Sequence, residues 1–235
     1  MKPSPLITTC LLAAALMATA CDGNMAETGH AEIPQESPEF AAVEGDNVKV
    51  ALRYFRGDNL VGERLDGYEA NRCLLAAEAA EALARVAERL AEEGLGLELF
   101  DCYRPQRAVD HFVRWAAAPE DHTTKVAFYP REEKSLMFER GYIAERSGHS
   151  RGATVDLGLY GLATGAALDM GTGFDFMDER SATDYPLESE KARTNRMLLR
   201  DAMQQQGFVN YSQEWWHYTF KPEPYPETYF DFPVR

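Results

Sequence analysis

Two short stretches of this chain hold residues that could do chemistry together. The first is Ser147-Gly148-His149-Ser150-Arg151-Gly152-Ala153-Thr154-Val155-Asp156, and the second, about sixty residues later, is Glu214-Trp215-Trp216-His217. Two imidazoles and one carboxylate make a metal-ligand set, and a second carboxylate is left over. Catalytic zinc takes three protein ligands and keeps a fourth position for water. A carboxylate beside that position can take the water's proton. His149, Asp156 and His217 are therefore the candidate ligands of one Zn2+ per chain, and Glu214 is the candidate general base. A structural zinc site would want four protein ligands, often cysteines, and the cysteines here are not clustered near these histidines. The expectation is an open, hydrolytic metal site.

The remaining histidines have plainer readings. His30 lies in an acidic, solvated stretch, His111 falls within an expected helix, and His122 sits in a polar loop. His149 differs because a strand is expected from about Ala153, which brings Asp156 back towards it after one short extended segment. Gly148 and Gly152 let the backbone bend closely there. Glu214 and His217 pose a puzzle, since residues three apart on a regular strand face opposite sides. Trp215 to Phe220 is β-favouring, so a loop-to-strand transition is expected, with Glu214 before the ladder begins or at a bulge. At least one of the two tryptophans reads as an ordinary core aromatic.

These residues need a scaffold, and the pattern supplies one in order. Val48 to Tyr54 alternates as an extended segment. A helix is expected from about Asn71 to Glu93, with Leu75, Ala79, Leu83, Val86 and Leu90 on one stripe and Gly94 ending it. Leu95 to Tyr103 reads as a strand beneath that helix. Pro105 suits the first turn of a second helix through about Trp115, which puts Arg104 at a strand-to-helix corner. Residues 121 to 142 read as loops with a short helix. Thr154 to Leu159 is a strand, with Ala166 to Met170 as the return arm of a hairpin. A last helix spans about Ser189 to Gln206. Phe208 to Tyr211 and Trp216 to Lys221 form a terminal pair of strands, and the tail from Pro222 to Arg235 is expected to pack irregularly on the surface. The fold class is α+β: a small, mainly antiparallel sheet flanked by helices, with the zinc site at the sheet edge.

Bulk properties narrow the function further. At 235 residues, 45% apolar and 11% aromatic, the chain suits one sizeable globular domain. Its net charge of −14 disfavours nucleic acid, whose phosphates need Lys and Arg. Residues 1–20 read as an export signal: Lys2, an apolar run from Leu6 to Met17, then Ala18-Thr19-Ala20. Cys21 follows directly and resembles the acylated cysteine of bacterial lipoproteins, with simple cleavage and release as the alternative. A lipid there would be the chain's one membrane attachment, since the apolar run is too short to span a bilayer. Residues 21–47 read as an acidic flexible tether, and 48–235 as the catalytic domain. Export places the protein in the periplasm or cell envelope. In that oxidising setting Cys73 and Cys102 could form a disulfide, at most roughly 3.6 kcal/mol of stabilisation for a loop of about 30 residues. Two buried thiols are the alternative.

Taken together, Asp101-Cys102-Tyr103-Arg104-Pro105, the Ser147 to Asp156 run and Glu214 to His217 closely resemble the D-alanyl-D-alanine dipeptidases of the VanX type, zinc peptidases related to D-Ala-D-Ala carboxypeptidases. The resemblance extends to Asp66-Gly67-Tyr68-Glu69-Ala70-Asn71, to the stretch from Gly171 through Asp175 to Arg180, and to Tyr229-Phe230-Asp231-Phe232-Pro233-Val234. It implies that His149, Asp156 and His217 bind zinc, that Glu214 is the base, and that Arg104 stabilises the oxyanion. It further implies that Asp175 receives the ammonium of a small D,D-dipeptide substrate, with Ser147 and Tyr54 as further pocket residues. Without it, Arg104 could simply be salt-bridged to Asp101, and Asp175 could cap a turn. The resistance enzymes of that family act in the cytoplasm, whereas the export signal here points to hydrolysis of D-Ala-D-Ala in the envelope, in peptidoglycan turnover or recovery. Two other functions stay open: a zinc D,D-carboxypeptidase acting on peptidoglycan stem peptides, and a non-catalytic, zinc-dependent wall-peptide-binding lipoprotein.

Overall fold

A computed structural model describes residues 39–120 and 122–235. The export segment, His30, Cys21 and most of the acidic tether lie outside the described residues. In chain order the elements are β1 (Phe40–Ala42), β2 (Val48–Val50), the short α1 (Arg53–Arg56), β3 (Leu74–Ala76), α2 (Ala77–Ala91), β4 (Leu95–Asp101), α3 (Gln106–Ala117), α4 (Lys125–Phe128), β5 (Thr154–Gly161), α5 (Glu190–Gln205), β6 (Phe208–Asn210) and β7 (His217–Phe220). Five strands form the main sheet in the order β2-β4-β5-β7-β6. Only β2–β4 is a parallel pair, and the other pairings are antiparallel. The fold is the expected α+β class.

The amphipathic pattern of α2 has a direct cause. Ala79, Leu83, Val86 and Leu90 recur on one face and are buried, which lays the helix on β4 and α5. Gly94, at φ +76°, turns the chain from that helix into β4, a conformation costly for any side-chain-bearing residue. Pro105 is the residue before α3, with φ −55°, so it starts the helix from outside the first turn.

The structure differs from the sequence expectations in four places. Ordered chain begins by Phe40 rather than Val48: β1 pairs with β3, and the Phe40 ring lies 5.0 to 6.2 Å from those of Tyr103, Tyr225, Phe230 and Phe232. Three residues, two of them alanine, are too short a run for an alternation to register. The first part of the expected helix is strand β3, whose apolar Leu74-Leu75-Ala76 merges without a break into the helical pattern. The tail is not superficial: Val234 is buried, its carbonyl accepts from the amides of Glu69 and Ala70, and its own amide donates to Gly67. Finally, the candidate ligands do not lie at the sheet edge. Asp101, Asp156 and His217 stand directly across from one another on the three central strands β4, β5 and β7, because β2 and β6 flank them.

Candidate active site

His149 is the best-fixed of the candidate ligands. It sits in a single 3-10 turn, Gly148–Arg151, whose first residues are capped by Ser147, the Oγ accepting from the His149 amide at 3.2 Å. Gly152 closes the turn at φ +79°, and a Cβ there would come within 2.4 Å of the Phe40 ring. The His149 Nδ1–H donates to the Cys102 carbonyl at 2.8 Å, which leaves the lone pair of Nε2 facing inward. That nitrogen lies 3.3 Å from Oδ2 of Asp156 and 3.4 Å from Nδ1 of His217.

Asp156 and His217 face each other across the β5–β7 ladder, with Oδ1 and Nδ1 3.0 Å apart. Ligand atoms of His149, Asp156 and His217 all fall within 4.8 Å of one another. Oδ1 of Asp156 is buried with no well-aligned hydrogen-bond donor, its close polar neighbour being Nδ1 of His217. A buried acceptor without a well-aligned donor is rare and costly, and this carboxylate converges with two imidazole nitrogens. The donor set is the one that a divalent zinc ion prefers, so the residues present fit the metal. Burial works against the charge on Asp156, but the two imidazoles outweigh it and hold the carboxyl well below the usual carboxylate range. Among the described residues no other such cluster of His, Cys, Asp and Glu occurs. His111 instead pairs with Glu63 and Asp66 at the surface, and His122 is exposed.

The spacing puzzle resolves as a loop-to-strand transition. Glu214 lies in a turn, its amide donating to the Tyr211 carbonyl and its own carbonyl accepting from the His217 amide, and His217 is the first residue of β7. Glu214 thereby points to the same side, with Oε2 3.6 Å from Nδ1 of His217. Burial raises its pKa to about 7; the charge of His217 opposes the rise and that of Asp156 adds to it. Trp215 and Trp216 are both core residues.

Arg104 makes the salt bridge to Asp101 that the sequence allowed and lies beside the ligand cluster. Its Nε and one terminal nitrogen each lie 2.9 Å from Oδ2 of Asp101, and the latter is 3.7 Å from Oδ2 of Asp156. The guanidinium also rests on the rings of Tyr54 and Phe112, 4.8 and 5.3 Å from their centroids. The salt bridge is therefore what aims it at the ligand cluster. Asp101, fully buried, also accepts from the Tyr68 hydroxyl, and its Oδ2 lies 3.3 Å from Nδ1 of His149. From the sequence, this hub stood out only as the start of the Asp101-to-Pro105 motif and as a partner for Arg104. Its signal was an acid closing a mostly apolar strand. The neighbouring Cys102 is joined to Cys73, with Cα atoms 5.3 Å apart.

Asp175 occupies a conformation that non-glycine residues seldom take, φ +56°, and such strain concentrates at functional positions. Its side chain is buried and accepts from the Tyr54 hydroxyl at 2.8 Å. Burial, then the nearby charge of Asp156, raise its pKa well above the ordinary value. The loop bearing Asp175 is held from behind by the buried Arg196 of α5. That guanidinium donates to the carbonyls of Met170, Ala182 and Arg180 at 2.7, 2.6 and 3.0 Å. Trp215 adds a hydrogen bond from its indole to the Thr172 hydroxyl at 2.9 Å. Nothing in the helical pattern of α5 distinguished Arg196 from its solvated neighbours.

The candidate catalytic, metal and substrate residues meet in one cavity of about 200 Å³, lined by Tyr54, Arg104, Ser147 and Asp175 as well as the ligand cluster and Glu214. That volume is smaller than the roughly 300–1,000 Å³ of pockets for drug-sized ligands. The family described as D-ala-D-ala dipeptidase matches residues 36–235. A D-alanyl-D-alanine dipeptidase of Streptomyces coelicolor is 51% identical over 198 residues, 83% of this chain and 98% of that protein. One from Enterococcus faecium is 48% identical over 188 residues, 80% of this chain and 93% of that protein. The Escherichia coli D-alanyl-D-alanine dipeptidase is 36% identical over 175 residues, 73% and 78% of the two chains. With its cavity built from the same motifs that carried the resemblance, this chain belongs to the D-alanyl-D-alanine dipeptidase family of metallopeptidases.

Proposed function

We propose that the protein hydrolyses D-alanyl-D-alanine to two molecules of D-alanine, using one zinc ion held by His149, Asp156 and His217. The observation that carries this reading is the buried Asp156 carboxylate converging with the imidazoles of His149 and His217 in a cavity also lined by the buried carboxyl of Asp175. Bound there, zinc would supply a Lewis acid and bring the pKa of water to about 7.

The chain's own residues do the rest. Glu214 takes a proton from the attacking water as the oxygen bonds to the carbonyl carbon, and delivers it to the amine nitrogen as the C–N bond breaks. Arg104, fixed by Asp101, offers N–H groups to the carbonyl oxygen as negative charge develops there. Because that contact strengthens with the charge, it lowers the barrier selectively, and loss of such a donor costs about 2.7–4 kcal/mol. Asp175 receives the substrate's ammonium, the cation that a buried carboxylate lacks. A buried carboxylate in the cavity lining suits the free amino terminus of a dipeptide, which favours the dipeptidase over a D,D-carboxypeptidase.

Residues 1–20 would export the chain, with Cys21 as a lipid anchor and action in the cell envelope. The Cys73–Cys102 bond supports this placement, since disulfides persist outside the reducing cytoplasm. The deciding experiment measures D-alanine release from D-Ala-D-Ala with and without a chelator, beside the L,L isomer and a pentapeptide ending in D-Ala-D-Ala. Chelator-sensitive turnover of the D,D-dipeptide is expected. Preference for the pentapeptide would move the assignment to a carboxypeptidase, and no turnover at all would leave a binding protein.

A further inference from the structure

A free dipeptide is a zwitterion, and its two ends make different demands on the cavity. Asp175 answers the ammonium, and the ligand cluster with Arg104 answers the scissile amide. The carboxylate of the departing residue then needs a cation or a set of donors on the remaining side. Two arginines line the cavity among the described residues, Arg104 and Arg146. Arg104 is committed to Asp101 and Asp156. Arg146 forms no ion pair with any described residue.

Its setting is nevertheless ordered. The Arg146 guanidinium lies over the ring of Tyr229, 5.0 Å from the centroid. Tyr229 is itself pinned, because its hydroxyl accepts from Arg151 at 3.2 Å and Arg151 forms a two-point pair with Glu223 at 2.6 and 3.0 Å. A guanidinium held over a fixed ring and free of other partners keeps its N–H groups available, and such a fork can grip a carboxylate at two points. Arg146 is exposed whereas Asp175 is buried, so the two opposite charges stand at the outer and inner ends of one cavity. Beside Arg146, Ser147 offers a hydroxyl whose oxygen already accepts from the His149 amide, leaving its proton to donate.

Resting on the dipeptidase reading above, we propose that Arg146 binds the carboxylate of the leaving D-amino acid and sets the enzyme's requirement for a free carboxyl terminus. The test compares D-Ala-D-Ala with its C-terminal amide in the zinc-loaded wild-type protein, in Arg146→Ala and in Arg146→Lys. Wild type should favour the acid. In Arg146→Ala, kcat/KM on the acid should fall about 10- to 100-fold, the loss of a charge-assisted contact, chiefly through KM. The amide, which lacks the charge, should lose far less, so the preference collapses. Arg146→Lys should restore part of it, since a point charge replaces the fork. An equal loss on both substrates, an unchanged preference, or a wild-type protein indifferent to the amide would overturn the proposal while leaving dipeptidase activity in place. Wild-type protein that cleaves neither substrate would overturn the underlying reading and this proposal together.

Discussion

The hydroxyl of Tyr54, carried on the short α1, donates to Oδ2 of Asp175 across 2.8 Å inside the protein. Two residues 121 positions apart thus form the inner end of the cavity. The bond steadies the charged form of Asp175 against burial, which pushes its pKa up.

Replacing Tyr54 with Phe should therefore weaken the ammonium subsite without touching the ligand cluster. A hydrogen bond to a charged group is worth about 1.5–3 kcal/mol, so kcat/KM for the dipeptide should fall about 10- to 100-fold at neutral pH. Asp175 must be ionised to hold the ammonium, and losing its donor raises its pKa further. The acidic limb of kcat/KM should accordingly move to higher pH in Tyr54→Phe, and steady-state rates across pH would record the shift. An unmoved limb would mean that Asp175 does not bind the substrate in its charged form.

Asp101 links Arg104, the proposed oxyanion donor, to His149, a proposed zinc ligand, since its Oδ2 takes two nitrogens of Arg104 and lies 3.3 Å from Nδ1 of His149. Outer partners of this kind orient the ligating imidazole, and losing one typically costs 10- to 100-fold in metal affinity or activity. Asp101→Asn should lower zinc affinity by about that factor in a competition titration with a chromogenic chelator. Excess zinc should restore occupancy but not the full rate, because Arg104 remains badly aimed.

How much of this was legible depends on whether a residue's role is written locally. The loop-to-strand placement of Glu214 followed from two facts in the sequence: a three-residue spacing and a β-favouring run after it. The same logic failed for the sheet position of the site, because strand order is a property of long-range pairing. Nothing in Thr154 to Leu159 says that β4 lies on one side and β7 on the other. Phe40 escaped for a related reason. Its partners Phe230 and Phe232 are some 190 residues away in the sequence, and three short residues carry no period. Arg196 reads as a surface arginine until the loop it secures is known.

Glu214 gives the pH behaviour a definite sign. Burial lifts its pKa from 4.5 to about 7 in the metal-free fold, so between those values the folded state holds a proton that the unfolded chain has released. Stability from this residue is present below about pH 4.5 and is lost as pH rises through about 7. The metal-free protein should therefore melt at progressively lower temperature from pH 5 to 8, and Glu214→Gln, which keeps the shape without the charge, should flatten that slope. The same variant should lose about 10²- to 10⁴-fold in kcat with zinc content still near one per chain, if Glu214 moves the proton rather than binding the metal. Retained activity would remove the base assignment.

Arg196 ties the stability of α5 to the substrate end of the cavity. Its buried guanidinium satisfies the carbonyls of Met170, Arg180 and Ala182, which bracket Asp175 in the chain. Met in its place would fill similar volume but leave those three acceptors without their donor, at about 1–3 kcal/mol for each one that water cannot reach. Arg196→Met should cost about 2–4 kcal/mol in all, which at roughly 2–4 °C per kcal/mol for a domain of this size lowers Tm by about 5–15 °C. Below that transition the variant should still bind zinc with wild-type affinity, since β5, β7 and the His149 turn are built elsewhere. Its KM for the dipeptide should rise, because the strained φ of Asp175 persists only while its loop is held at both ends. A variant with lowered Tm and unchanged KM would show that the loop keeps its shape without Arg196 and that Tyr54 alone positions the carboxylate.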